Sequence, residues 1–131
     1  GPGRSAIDSL RAGKAKRIVK PGQVFSRIHV EDIAGALLAS LAKPTPGEIY
    51  NLCDDNPAGP EEVITYAAGL LGVDHPPAIP FAQADLSPMA RSFYADNKRV
   101  SNQKMKNALG YRLKYPSYKE GLKAILSATP G

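Results

Sequence analysis

The stretch VFSRIHVEDIAGALLASL, residues 24–41, joins a lone arginine to an acid-capped amphipathic helix. Phe25, Ile28 and Val30 are apolar with Arg27 between them, which predicts a strand over Val24–Val30 that buries one row and projects Arg27 from the other. Glu31 and Asp32 follow at the end of a helix where negative charge is favoured. Ile33, Leu37, Leu38 and Leu41 recur at helical spacing and are the predicted buried stripe. A guanidinium fixed at a strand–helix junction can bind two oxygens of a carboxylate or phosphate at once. The same pattern is also met by a surface arginine paired with Glu31 or Asp32.

Working outward, the 131 residues fit one domain, with 43% apolar and 22% charged residues as in ordinary globular proteins. Cys53 is the single cysteine, so an internal disulfide and a cysteine-based zinc site are both excluded. No apolar run approaches the roughly twenty residues of a membrane span, and no signal peptide precedes the first element, so a cytoplasmic location is expected.

The net charge of +5 raises the question of nucleic acid. Basic residues crowd at Arg11, Lys14, Lys16, Arg17 and Lys20 and again at Lys98, Arg99, Lys104 and Lys106. They alternate with apolar residues as solvated outer faces do, without the interleaved aromatics of a nucleic-acid surface. The pattern points away from nucleic acid.

Turn and cap residues divide the rest. Ser5 caps a short helix carrying Ile7 and Leu10 and ending at Gly13, and residues 17–20 read as a short strand before a Pro21-Gly22 turn. Lys43-Pro44-Thr45-Pro46-Gly47 makes a loop, and EIYNLC, residues 48–53, reads as a strand. Gly59-Pro60-Glu61-Glu62 starts a second helix, which Gly72 terminates. The proline-rich residues 74–88 predict an extended crossing segment, and residues 87–94 a short helix. Ser101 is the predicted cap of another, with Met105, Ala108 and Leu109 inward and Gly110 closing it. Ser117 and Glu120 form a capping box for the last helix.

Four segments, in order and at matching spacing, resemble the C-terminal half of the extended short-chain dehydrogenase/reductase family, the NAD(P)-dependent nucleotide-sugar epimerases and dehydratases. GPGR (residues 1–4) resembles the glycine–proline loop after that family's sixth strand. FSRIHVEDIAGAL resembles its Arg-x-x-x-Val-x-Asp segment, with one residue fewer between Arg27 and Val30 and with Asp32 at the helix start, and EIYNLCDDNPAGPEEV the next strand, loop and helix, with Asn51 as the family's asparagine. NKRVSNQKMKNALGYRLKYPSYKEGL resembles the closing pattern. The resemblance implies an α/β chain: the C-terminal part of a Rossmann-type epimerase fold, with a few short strands and about five helices.

It further implies that residues 1–131 are the substrate-binding region, with the cofactor domain absent. The dinucleotide (NAD or NADP) would be held mainly by a glycine-rich turn, and a Tyr-x-x-x-Lys pair would act in catalysis, both upstream of Gly1. Neither is expected here. Gly69–Gly72 is a helix end, and the spacings Tyr94…Lys98 and Tyr115…Lys119 read as surface pairs. The resemblance places Gly1, Pro2 and Gly3 against the cofactor, and Arg4, Arg27, Arg91, Asn97 and Lys98 against an anionic sugar or nucleotide-sugar substrate. No metal is expected, with Asp54 and Asp55 as turn formers; His29, on the side of Arg27, reads as exposed or at a ligand's edge. The alternative is a stand-alone interaction module on the same scaffold. Apolar rows at Ile18/Val19 and Ile49/Leu52 predict surface awaiting a cover, and hence self-association.

Overall fold

Caps decide where the helices of this α/β chain begin and end. In the computed structural model, which describes residues 4–95, 97 and 99–128, α1 (Ala6–Arg11) opens on a reciprocal box. Ser5 Oγ accepts from the Asp8 amide at 3.2 Å, and the Asp8 carboxylate accepts from the Ser5 amide at 3.0 Å. α2 spans Val30–Ala42, capped by His29. α3 (Pro60–Leu71) has Pro60 in its first turn and stops at Gly72, whose φ of 68° suits only glycine readily. Ser87 Oγ caps α4 (Pro88–Phe93), and α5 spans Gln103–Leu109. α6 (Tyr118–Ala128) starts at the predicted box, the Ser117 amide donating to Glu120 Oε2 at 3.1 Å.

Two short parallel strands form the sheet. β1 (Arg17–Val19) lies beside β2 (Ala78–Pro80), with Ile18 opposite Ile79 and Pro80 at the far end. A 3-10 turn over Phe81–Gln83 follows. The Pro21-Gly22 reversal is present, closed by the Gln23 amide donating to Lys20 O at 3.0 Å. No helix among the described residues is long and apolar enough to cross a membrane.

Two predicted strands are not strands. Over Val24–Val30 and residues 48–53 the sole ladder contact is an isolated antiparallel bridge between Phe25 and Ala58. A strand needs a neighbour along its length, and the chain turns into α3 one residue after that bridge. Beyond the bridge, the Asp54 amide donates to Arg27 O at 2.6 Å, holding the two segments side by side.

The buried face of α2 also differs from the predicted one. Leu37, Leu38 and Leu41 are 55%, 68% and 75% exposed, whereas Asp32 and Ala36 are buried. Both sets keep helical spacing, and packing chooses between them. The small face wins because Tyr111 lies against Gly35 so closely that a Cβ there would sit 2.4 Å from its hydroxyl. Asp32, fully buried, accepts from the Tyr111 hydroxyl (2.6 Å) and from the amides of Lys114 (2.8 Å) and Tyr115 (3.0 Å). In α5, Ala108 is exposed while Met105 and Leu109 are buried. Asn102, not Ser101, sits at its cap, reaching Cys53 O at 3.1 Å and Asp55 Oδ1 at 2.7 Å.

Three apolar clusters result. Ala36, Met105, Leu109 and Leu113 form one; Ile7, Ala67 and Leu122 form a second, where α1, α3 and α6 meet. Ile18, Ala84 and Tyr94 form a third, with Phe25 edge-on to Tyr94 at 5.4 Å. Ile18 is therefore covered rather than awaiting a cover, while Ile49 is 78% exposed.

Candidate functional site

A cavity of about 520 Å³ opens between α1, α6 and the segment that leads into α2. Its walls bring together Arg4, Arg27, His29, Asp54, Tyr115 and Tyr118, with Val63, Leu122 and Ile125 as the apolar side. Of the predicted binding residues, Arg4 and Arg27 are here, and His29 shares the side of Arg27 as alternation required.

Arg27 is half-buried and held by one nitrogen. Its Nη1 donates to Phe25 O at 3.1 Å and Ala58 O at 3.0 Å, so both protons of that nitrogen are spent on fixed backbone. Its Nη2 and Nε form no hydrogen bond among the described residues. Nor does it pair with Glu31 or Asp32: Glu31 bonds Lys114 Nζ (3.1 Å) and the Tyr115 hydroxyl (2.8 Å), and Asp32 is occupied as described. Burial pushes the Arg27 pKa down and nearby Asp54, with Glu62 and Glu61 on α3, pulls it back up. A guanidinium stays charged under such shifts. The arrangement is a preorganised cation with free donors beside a cavity.

Asp54 was expected to be only a turn former. It does make that turn, its Oδ1 accepting from the Asn56 amide at 3.0 Å, but it is also 5% exposed and lines the cavity. Burial raises its pKa from 3.8 to about 6, against the opposing Asn56 hydrogen bond and Arg27. Its neighbour Asp55 serves structure, bonded to Asn102 and to Lys106 Nζ at 2.6 Å. No group of three or more His, Cys, Asp or Glu side chains placed to hold a metal occurs among the described residues.

The raised value has a consequence for stability. The folded chain binds a proton at Asp54 below about pH 6, whereas the unfolded chain does so only near 3.8. Stability is therefore expected to rise as pH falls from 7.5 to about 4.5, by on the order of 2 kcal/mol. Asp8, Glu31, Asp55 and Glu120 are all held below their usual range by hydrogen bonds, so their stabilisation starts to fall near the bottom of this window and is lost below it. Urea unfolding of the chain and of Asp54→Asn across this range checks it: the variant should lack the rise.

The remaining walls are aromatic. His29 Nδ1 accepts from the Glu31 amide at 3.1 Å, and its ring lies on Tyr115 with centroids 4.1 Å apart. The Tyr118 hydroxyl forms no hydrogen bond among the described residues, and burial raises its pKa. Tyr115 and Lys119 do not form a working pair. The Tyr115 hydroxyl donates to Glu31, which raises its pKa, and Lys119 Nζ lies over the Tyr66 ring at 5.7 Å. Cys53 is buried, with burial raising its pKa and its thiol donating to Val100 O at 3.3 Å.

The other predicted residues lie elsewhere. Arg91 donates to Ala84 O at 2.8 Å and stands 5.0 Å from the Phe81 ring. Asn97 clamps the Pro21-Gly22 reversal, accepting from the Val24 amide at 3.0 Å and donating to Gly22 O at 2.8 Å. The structure does not bring either to the Arg27 cavity. Gly1, Pro2, Gly3 and Lys98 lie outside the described residues. Sequence reasoning missed Asp54 and Tyr118 as cavity residues; the Asp-Asp-Asn-Pro turn was the one signal for the first, and nothing marked the second.

No protein-family model matches the chain. It is 29% identical over 133 residues to the 3-diazoavenalumate denitrifying reductase of a Streptomyces species, covering 93% of this chain and 42% of that protein. A functionally unknown conserved protein from Silicibacter pomeroyi DSS has a solved structure similar to it, with a TM-score of 0.90 and 58% identity over 98% of this chain and 44% of that one. The human epimerase family protein SDR39U1 (isoform 2), solved with NADPH, matches with a TM-score of 0.73 and 25% identity over 92% of this chain and 41% of its own. The chain thus spans less than half the length of these relatives. Its helices and parallel strand pair match part of an epimerase-family fold.

Proposed function

We propose that this chain is the substrate-binding portion of an NAD(P)-dependent epimerase, dehydratase or reductase that acts on an anionic sugar or nucleotide sugar. The observation that carries the reading is Arg27, anchored through Nη1 with its other donors free beside a cavity of small-molecule size. Arg4 at the same cavity adds a second positive charge. Likeness to a reductase and to an epimerase-family protein solved with NADPH supports the reaction class. The uncovered leucine face of α2 supports it too, as a surface over which further protein closes.

In this reading the dinucleotide is held mainly by protein other than β1 and β2. Neither β1 nor β2 runs into a glycine-rich turn that opens a helix, since a Pro21-Gly22 reversal follows the first and a 3-10 turn the second. When bound, the nicotinamide would supply or accept hydride. This chain's share is to hold the anionic end of the substrate at Arg27 and to exclude water along Val63, Leu122 and Ile125.

Calorimetric titration of the chain with UDP-glucose tests the site. Arg27→Gln is expected to weaken binding about tenfold to a hundredfold, the effect of losing a charge-assisted, two-point contact. Arg27→Lys should recover part of it, because the charge remains without the fork. Equal affinity for all three proteins removes the proposal.

A further inference from the structure

We propose that Asp54 reads a hydroxyl group of the molecule held at Arg27, so that the cavity selects a hydroxylated anion over a plain anion. This deepens the reading of the Arg27 cavity as a substrate site and rests on it. Asp54 is a buried carboxyl that nonetheless lines the cavity, and one of its two oxygens is unused: Oδ1 accepts from Asn56, while Oδ2 takes no hydrogen bond among the described residues. Oδ2 is not sealed from solvent, since Glu61 Oε2 is the one sealed side-chain oxygen without a partner among the described residues; it opens to the cavity, where a ligand hydroxyl can replace water as its donor.

Its position relative to Arg27 gives the selectivity. The Asp54 amide is tied to Arg27 O at 2.6 Å, so the two side chains spring from one fixed backbone contact. They form no ion pair with each other. A cation and a carboxylate that are neighbours without contact match a ligand with an anionic group for the first and a hydroxyl for the second. An anion without the hydroxyl meets the carboxylate's repulsion with nothing in return. The charges around Asp54 are Arg27 on the segment before α2, Asp55 beside it and Glu120 on α6, with Arg4, Asp8 and Glu31 at the cavity walls. Two of the three charged groups that act on it are acids, so they do not neutralise it.

The test uses three probes at pH 7.5: gluconate, hexanoate and sulfate. The first two are carboxylates of equal carbon count, one with hydroxyls and one without; sulfate is a plain anion of constant charge. Affinities are measured by calorimetry or NMR shifts for the chain, Asp54→Ala, Asp54→Asn and Arg27→Lys. The gluconate-to-hexanoate affinity ratio is expected to fall about tenfold or more in Asp54→Ala, while sulfate binds more tightly in both Asp54 variants. Should Asp54→Ala fail to fold, tighter sulfate binding by Asp54→Asn, which keeps the turn acceptor, carries the test. If sulfate binding responds to Arg27→Lys but the ratio and sulfate affinity ignore Asp54, this inference is overturned and the Arg27 reading stands. If no probe responds to Arg27→Lys, the Arg27 reading falls and this inference with it.

Discussion

Asp32→Ala is expected to remove about 3–5 kcal/mol of folding stability, measured as a fall in the urea midpoint. The residue is fully buried and takes three hydrogen bonds, from the Tyr111 hydroxyl and the Lys114 and Tyr115 amides. Alanine leaves all three donors without a partner in a place water does not reach, which costs more than the bonds themselves contribute. Tyr111→Phe removes one donor cleanly and should cost only about 1 kcal/mol. The contrast between the two variants is the useful part. A loss below 1 kcal/mol for Asp32→Ala would mean that the first turn of α2 is not what positions residues 111–115, nor, through Tyr115, the wall beside His29.

Ile7→Ala should cost a further large sum, about 2–5 kcal/mol, by opening a hole where α1, α3 and α6 meet. Ile7 is fully buried on a helix of only six residues, too short to persist without its tertiary contacts. Because α1 and its cap also present Asp8 and Ser5 to the cavity, binding at Arg27 should weaken together with stability. Thermal unfolding and a UDP-glucose titration on the same sample check both. Loss of stability with unchanged affinity would show that α1 is scaffolding remote from the ligand.

Much of this architecture could be read locally because local chemistry sets it. Ser5 with Asp8, Pro60 with Gly72, and Ser117 with Glu120 each begin or end a helix through bonds spanning four residues or fewer, or through a backbone preference. What depended on distant partners was not legible. In α2 the set Leu37, Leu38 and Leu41 and the set Asp32, Ala36 and Ala39 have equally good spacing, and distant partners decide between them: Tyr111 against Gly35, the donors to Asp32, and the cluster around Met105. The segments around Phe25 and Ile49 have strand composition, yet no pattern in them states whether a neighbour exists.

The candidate site divides the same way. Arg27 and His29 follow from alternation along one segment, whereas Arg4 follows only from the family resemblance. Asp54 and Tyr118 enter the cavity because the loop after Cys53 folds against the start of α6. The Asp55 amide donates there to Pro116 O at 2.9 Å, a contact 61 residues away in the chain. No short-range rule reports such a meeting.

The cavity also lies on the seam between two separately packed cores. Ile28 leans on the cluster around Met105, whereas Val63, Leu122 and Ile125 belong to the one around Ile7. A molecule seated there would serve as mortar, touching both masonry blocks at once. Occupancy then becomes legible in heat resistance, and a thermal screen of small acids could identify the natural guest without any assay of turnover.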